Sequence, residues 1–112
     1  MNDEILKRYN IKMIKMPTYA HAEGGLAIYF YFFQDLDDLN DYINDVNLAL
    51  EGRFNQIEDP DYGFSLGKNS FYYRADITPT HLEIYPNNND EKRLIPLIDW
   101  KEILLSWRSC LL

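Results

Sequence analysis

The sequence predicts an α+β fold: a mostly antiparallel β-sheet packed with two main amphipathic helices, at about 35–51 and 96–111. Two apolar stripes and one alternation carry that expectation. Leu36, Leu39, Ile43, Val46 and Leu50 recur at spacings of three and four, which places them on one side of a helix. Leu97, Trp100, Ile103, Leu104, Trp107 and Leu111 do the same at the other end of the chain. Between them, Phe71, Tyr73, Ala75 and Ile77 alternate with Tyr72, Arg74 and Asp76, the period of a strand. No repeat, linker or low-complexity tract divides the 112 residues, enough for one hydrophobic core, so a single domain over 1–112 is expected.

Taken in order, "YNIKMIKM" from Tyr9 to Met16 alternates loosely and reads as a strand that Pro17 closes. "HAEGG" at 21–25 reads as a turn. "LAIYFYFF" at 26–33 carries no charge and is rich in Tyr and Phe, so it reads as a central strand covered on both faces. The first long helix starts at Gln34 or Asp35, has Asp35, Asp37 and Asp38 at the positive end of its dipole, and stops at Gly52. Pro60 and Gly63 force a turn, and Phe64–Leu66 fits a short strand. "TPTH" joins "SFYYRADI" to "HLEIYP", where Leu82 and Ile84 alternate with Glu83 and Tyr85: a hairpin. "NNNDEKR" is a polar loop, and Pro96 opens the last helix. The expected order is strand, strand, helix, strands, helix.

Eighteen acidic against eleven basic residues leave a net charge of −7, which repels nucleic acid and anionic membranes as direct partners. That leaves basic proteins, or no particular partner. One cysteine, Cys110, makes no internal disulfide and reads as a small apolar contact. The opening "MNDEILKRYN" has no apolar core of a secretory signal, and no uncharged run approaches the ~20 residues of a bilayer span, so a reduced cytoplasmic setting is expected.

Metal is the first chemistry that "DLDDLND" suggests. In an EF-hand register from Asp35, the fifth, sixth and twelfth positions are Leu39, Asn40 and Val46; from Asp37, the third is Leu39. Both registers fail. His21 and His81 sit in expected turns without a neighbouring Cys or second His, so zinc is not expected, nor any cofactor. No G-x-S-x-G, P-loop or glycine-rich fingerprint is present, and pairs such as Glu58 and Asp59 arise readily among eighteen acids. An enzyme is not expected.

What remains is the outer face of the first long helix. At 100° per residue Asp38, Asp41 and Asp45 fall within about 60° of one another, with Asp37 beside them. No lysine alternates with them, so their mutual repulsion costs a few tenths of a kcal/mol per pair. A second acidic group, Glu58, Asp59 and Asp61 with Tyr62, follows in a loop. Brought together, the two groups form one negative surface to which Tyr42 and Tyr62 add contact area, suited to a basic partner. The bland alternative is a solvated face kept charged for solubility. Arg74, Tyr72 and Asp76 on the polar side of the hairpin are a second candidate surface.

From Phe71 onward, "FYYRADITPTHLEIYP", a polar loop and then "IPLIDWKEILLSW" resemble small bacterial immunity proteins, particularly those that protect against contact-dependent growth-inhibition toxins. The resemblance covers a little over a third of the chain, and its motifs are packing motifs. It implies a cytoplasmic inhibitor that binds the basic toxin domain, often a nuclease, of a large secreted effector. It carries over no toxin-contacting residue. Two other classes stay open beside it: an acidic mimic of nucleic acid that inhibits a DNA-binding enzyme, and a small hydrolase or isomerase with paired acids. An adaptor domain without inhibitory role is a further alternative.

Overall fold

A computed structural model describes residues 1–65, 72–85 and 91–112. Leu66, Ser70, Phe71 and Pro86 of the expected strands, and the 87–90 portion of the expected polar loop, lie outside the described residues. The chain is α+β, and every strand pairing among the described residues is antiparallel. Among the described residues the expected single sheet is instead two two-stranded sheets and one three-stranded sheet. Contacts group the chain into two compact units, Met1–Ile43 with Lys101–Leu112, and Asn44–Trp100.

The first unit begins with a helix that the sequence reading missed, α1 (Asp3–Arg8). Asn2 caps it, its side-chain oxygen accepting from the Ile5 N–H at 3.2 Å, while Asp3 and Glu4 sit at the positive end of the dipole. Six residues are too few to show a period, and only Ile5 and Leu6 are buried. Strands β1 (Lys12–Lys15) and β2 (Ala20–Glu23) follow as a hairpin, paired from Lys12 with Glu23 to Lys15 with Ala20. Expected strand Tyr9–Met16 is therefore real but shorter. The expected turn at 21–25 begins only at Gly24, because His21–Glu23 complete β2.

The apolar run 26–33 is not a strand. It coils through hydrogen-bonded turns around a short helix α2 (Ile28–Tyr31), with Tyr31 N–H donating to the Ala27 carbonyl at 2.8 Å. Leu26, Ala27, Tyr29 and Phe30 are buried, Ile28 and Tyr31 half-buried and Phe32 exposed, which is the burial period of a helix. A short continuous apolar run fits a buried strand or a buried helical turn equally well, and here the turn wins.

Helix α3 (Leu36–Leu50) matches the expected 35–51. Asp35 caps it, one carboxylate oxygen accepting from the N–H groups of Asp37 and Asp38 at 2.8 and 3.2 Å. Gly52 ends it with φ +75°. There the Arg53 N–H reaches back to the Leu48 carbonyl at 2.8 Å and the Gly52 N–H to Ala49 at 3.1 Å, a left-handed helix stop. The buried stripe differs from expectation at its edges: Leu39, Tyr42, Ile43, Val46 and Ala49 are buried, whereas Leu36 and Leu50 are exposed. Tyr42, expected to offer contact area to a partner, is fully buried, its ring 5.1 Å from that of Phe33.

In the second unit, β3 (Phe64–Ser65) pairs with β4 (Tyr72–Tyr73), and the rings of Phe64 and Tyr73 stack at 5.4 Å. The expected hairpin is present as β5 (Ala75–Ile77) and β6 (His81–Ile84), with Ala75, Ile77, Leu82 and Ile84 all buried. A third strand was missed: β7 (Arg93–Pro96) pairs with β6, Leu82 facing Ile95. The sequence places Arg93 in the loop and Pro96 at the helix start, but a proline is tolerated on the edge strand of a sheet.

Helix α4 (Leu97–Leu111) follows, starting one residue later than the expected 96–111 and ending where expected. Leu97, Trp100, Ile103, Leu104, Trp107 and Cys110 are buried along it, and Leu111 only half so. Within the first unit, Trp107 donates its indole N–H to the Phe33 carbonyl at 3.0 Å and Asn2 donates its backbone N–H to the buried Ser106 hydroxyl at 3.0 Å. No helix among the described residues is long and apolar enough to cross a membrane.

Candidate functional site

The carboxylates of α3 are the first part of the candidate surface. Asp37, Asp38 and Asp41 are exposed, as the helical projection requires of residues opposite Leu39 and Val46. Asp45 is half-buried. Its shift follows from the rotated stripe: with Tyr42 and Ala49 in the interior, Asp45 sits at the border of the buried arc. Within the first unit a cation also reaches this helix, Arg108 of α4 donating to the side-chain oxygen of Asn40 at 2.9 Å. The sequence reading did not foresee that, because 68 positions separate the pair.

The acidic loop is the second part, and it lies in the other unit together with Asp45. Glu58, Asp59 and Asp61 are exposed and Tyr62 is half-buried. The loop is shaped by its own aspartates: Asp59 accepts from the Asp61 N–H at 3.0 Å, and Asp61 accepts from the Gly63 N–H at 2.8 Å. It is also laid against β5. The Tyr62 N–H donates to Ala75 at 2.8 Å, the Ile77 N–H donates to Pro60 at 3.0 Å, and Asp61 bridges to Asp76.

Two tyrosines tie these carboxylates down. The Tyr62 hydroxyl donates to Asp45, joining the acidic loop to the half of α3 in its own unit. The Tyr72 hydroxyl lies 2.9 Å from both oxygens of Asp61. Partial burial, that hydrogen bond and the surrounding aspartates push the Tyr72 phenol up to about 12. Gly63 makes room for it, since a Cβ there would lie 2.6 Å from the Tyr72 oxygen.

The second candidate surface adjoins Asp61 through Asp76. Arg74 donates to Asp76 at 2.8 Å and lies over the Tyr85 ring at 4.5 Å, a residue outside the sequence-based surface. Asp61, Tyr72, Arg74 and Asp76 are thus one connected group. No single sequence period could have found it, because the contacts join a loop to β4 and β5.

No family model matches the chain, and neither a curated protein nor a solved structure matches it significantly. The residues themselves therefore carry any functional reading.

Their chemistry is that of hydrogen-bond acceptors and aromatic contact area. Exposed carboxylates accept from guanidinium and ammonium groups, and Tyr rings add area at small entropic cost. The Cys110 thiol is 3% exposed, and burial pushes its pKa up, away from the thiolate that a nucleophile needs. His21 lies within β2, 3.6 Å from Glu23 of the same strand, and His81 opens β6, sharing a hydrogen bond with Thr80 of the preceding turn at 2.8 Å; the sequence places both in turns.

Proposed function

We propose that this protein is an immunity protein: it binds the basic toxin domain, a nuclease in the first instance, of a large secreted effector in the cytoplasm and inhibits it stoichiometrically, without turnover. The observation that carries this reading is the exposed row Asp37, Asp38 and Asp41 on a helix that brings no lysine or arginine of its own. A nuclease must line its active site with Lys and Arg to hold a polyanion, and fixed carboxylates are complementary to that lining. The pre-shaped group of Asp59, Asp61 and Tyr72 supports the same reading, because hydrogen bonds already fix its geometry before a partner arrives. The resemblance of "FYYRADITPTHLEIYP" and "IPLIDWKEILLSW" to immunity proteins of contact-dependent systems, one of packing motifs only, agrees with it.

An interface of ordinary size buries roughly 1,600 Å² in total, with a few desolvated carboxylate–cation pairs and tyrosine anchors dominating. Mixing the full chain with the toxin domain encoded just upstream tests the reading. Toxin activity should vanish near equimolar ratio, with one complex on a sizing column. Absence of a complex rejects it, and equal binding to unrelated DNA-binding proteins favours a nucleic-acid mimic instead.

A further inference from the structure

The uncharged run 26–33 builds more than a core. Strand β2 and helix α2 enclose a concavity of about 350 Å³, with His21 and Ala22 on one wall and Ile28, Tyr31 and Phe32 on the other. Three of these five carry rings, and the rings meet almost at right angles. Tyr31 lies 5.5 Å from His21 at 82° and 5.2 Å from Phe32 at 89°. Tyr31 is also braced from behind by Trp107, 5.9 Å away, whose indole is itself bonded to the Phe33 carbonyl. Phe32 keeps 48% of its surface exposed.

Aromatic faces attract cations, and three rings line this one hollow. Glu23 adds a full negative charge, its carboxylate 3.6 Å from the His21 ring nitrogen. Among the described residues that line the hollow there is no lysine or arginine. A plain apolar pocket would lack both the ring geometry and the flanking carboxylate. A guanidinium fits better than an ammonium, because it is planar, weakly hydrated and stacks on aromatic faces.

We infer that the hollow between β2 and α2 receives an arginine side chain of a protein partner. That the partner is basic rests on the reading above; the chemistry of the hollow rests on His21, Glu23, Tyr31 and Phe32 alone. Gly24 ends β2 beside the hollow with φ +123°, where a Cβ would lie 2.3 Å from the Asn10 carbonyl oxygen.

The test uses the full chain and no toxin. N-acetyl-arginine amide and its neutral isostere N-acetyl-citrulline amide are titrated in turn, and the ring resonances of His21, Tyr31 and Phe32 are followed by NMR. The arginine probe should shift these rings saturably, with the citrulline probe weaker by about tenfold. Phe32→Leu, which keeps apolar bulk without the ring, and Glu23→Gln, which keeps shape without charge, should each weaken the arginine probe while leaving the fold's other resonances in place. Equal response to the two probes, no saturable shift, or indifference to both substitutions overturns the inference. Failure of the toxin to bind counts against a different claim, because no toxin enters this titration.

Discussion

Asp45 of α3 accepts the hydroxyl hydrogen of Tyr62, and so a helix carboxylate and an acidic loop 17 positions away form one piece of surface. A hydrogen bond to a carboxylate is charge-assisted and contributes more than a neutral one. Tyr62→Phe should therefore lower unfolding free energy by about 1–2 kcal/mol in urea titration. A loss within error would mean that water replaces the hydroxyl without cost.

Asp38 and Asp41 are both exposed on the outer face of α3. The double reversal Asp38→Lys with Asp41→Lys should slow association with a basic partner by about tenfold at low salt and flatten its salt dependence, with little change in the off-rate. The melting temperature should hold or rise slightly, since like-charge repulsion along the helix is relieved. Unchanged association kinetics would reduce this face to solvated surface.

Gly24 has φ +123° and abuts the Asn10 carbonyl. Gly24→Ala combines a forbidden backbone region with a collision against main chain, and should cost about 2 kcal/mol or more. Gly52→Ala, at φ +75° with open space around it, should cost about 1 kcal/mol. Thermal melts of the two variants give the order, and a milder effect at Gly24 than at Gly52 would contradict it.

Tyr72 holds its proton more tightly folded than unfolded, its phenol raised from 10.0 to about 12. Partial burial of the phenol, together with its bond to Asp61 and the neighbouring aspartates, therefore favours the folded state with Tyr72 protonated, in full below about pH 10 and fading as pH rises toward about 12. Stability measured across that window should fall more steeply for the parent chain than for Tyr72→Phe. Parallel curves would show that the bond does not distinguish the two states.

Much of the fold was legible because it is written in local periods. Leu39, Ile43 and Val46 repeat on a helix, Asp35 and Gly52 mark its ends, and Ala75, Ile77, Leu82 and Ile84 alternate on a hairpin; each stands where expected. The candidate site was legible only as composition. The aspartates of α3 and of the 58–62 loop are visible in the sequence, but Tyr42, expected at the surface, is core, and nothing local marks Arg108, Tyr85 or Phe32 as part of a site.

By itself, then, the sequence determined the α+β class, the two long helices, the hairpin and the acidic face of α3, because a 3.6- or 2-residue repeat is a property of neighbours along the chain. Tertiary structure alone decided three things. "LAIYFYFF" has no phase, so only its surroundings could choose helical turns over a strand. Strand β7 exists because β6 offers a free edge to a segment containing Pro96, and no local pattern announces a partner. Asp45 met Tyr62, and Tyr72 met Asp61, because chain far apart in sequence was laid side by side, and a hydrogen bond depends on distance in space rather than on order in the chain.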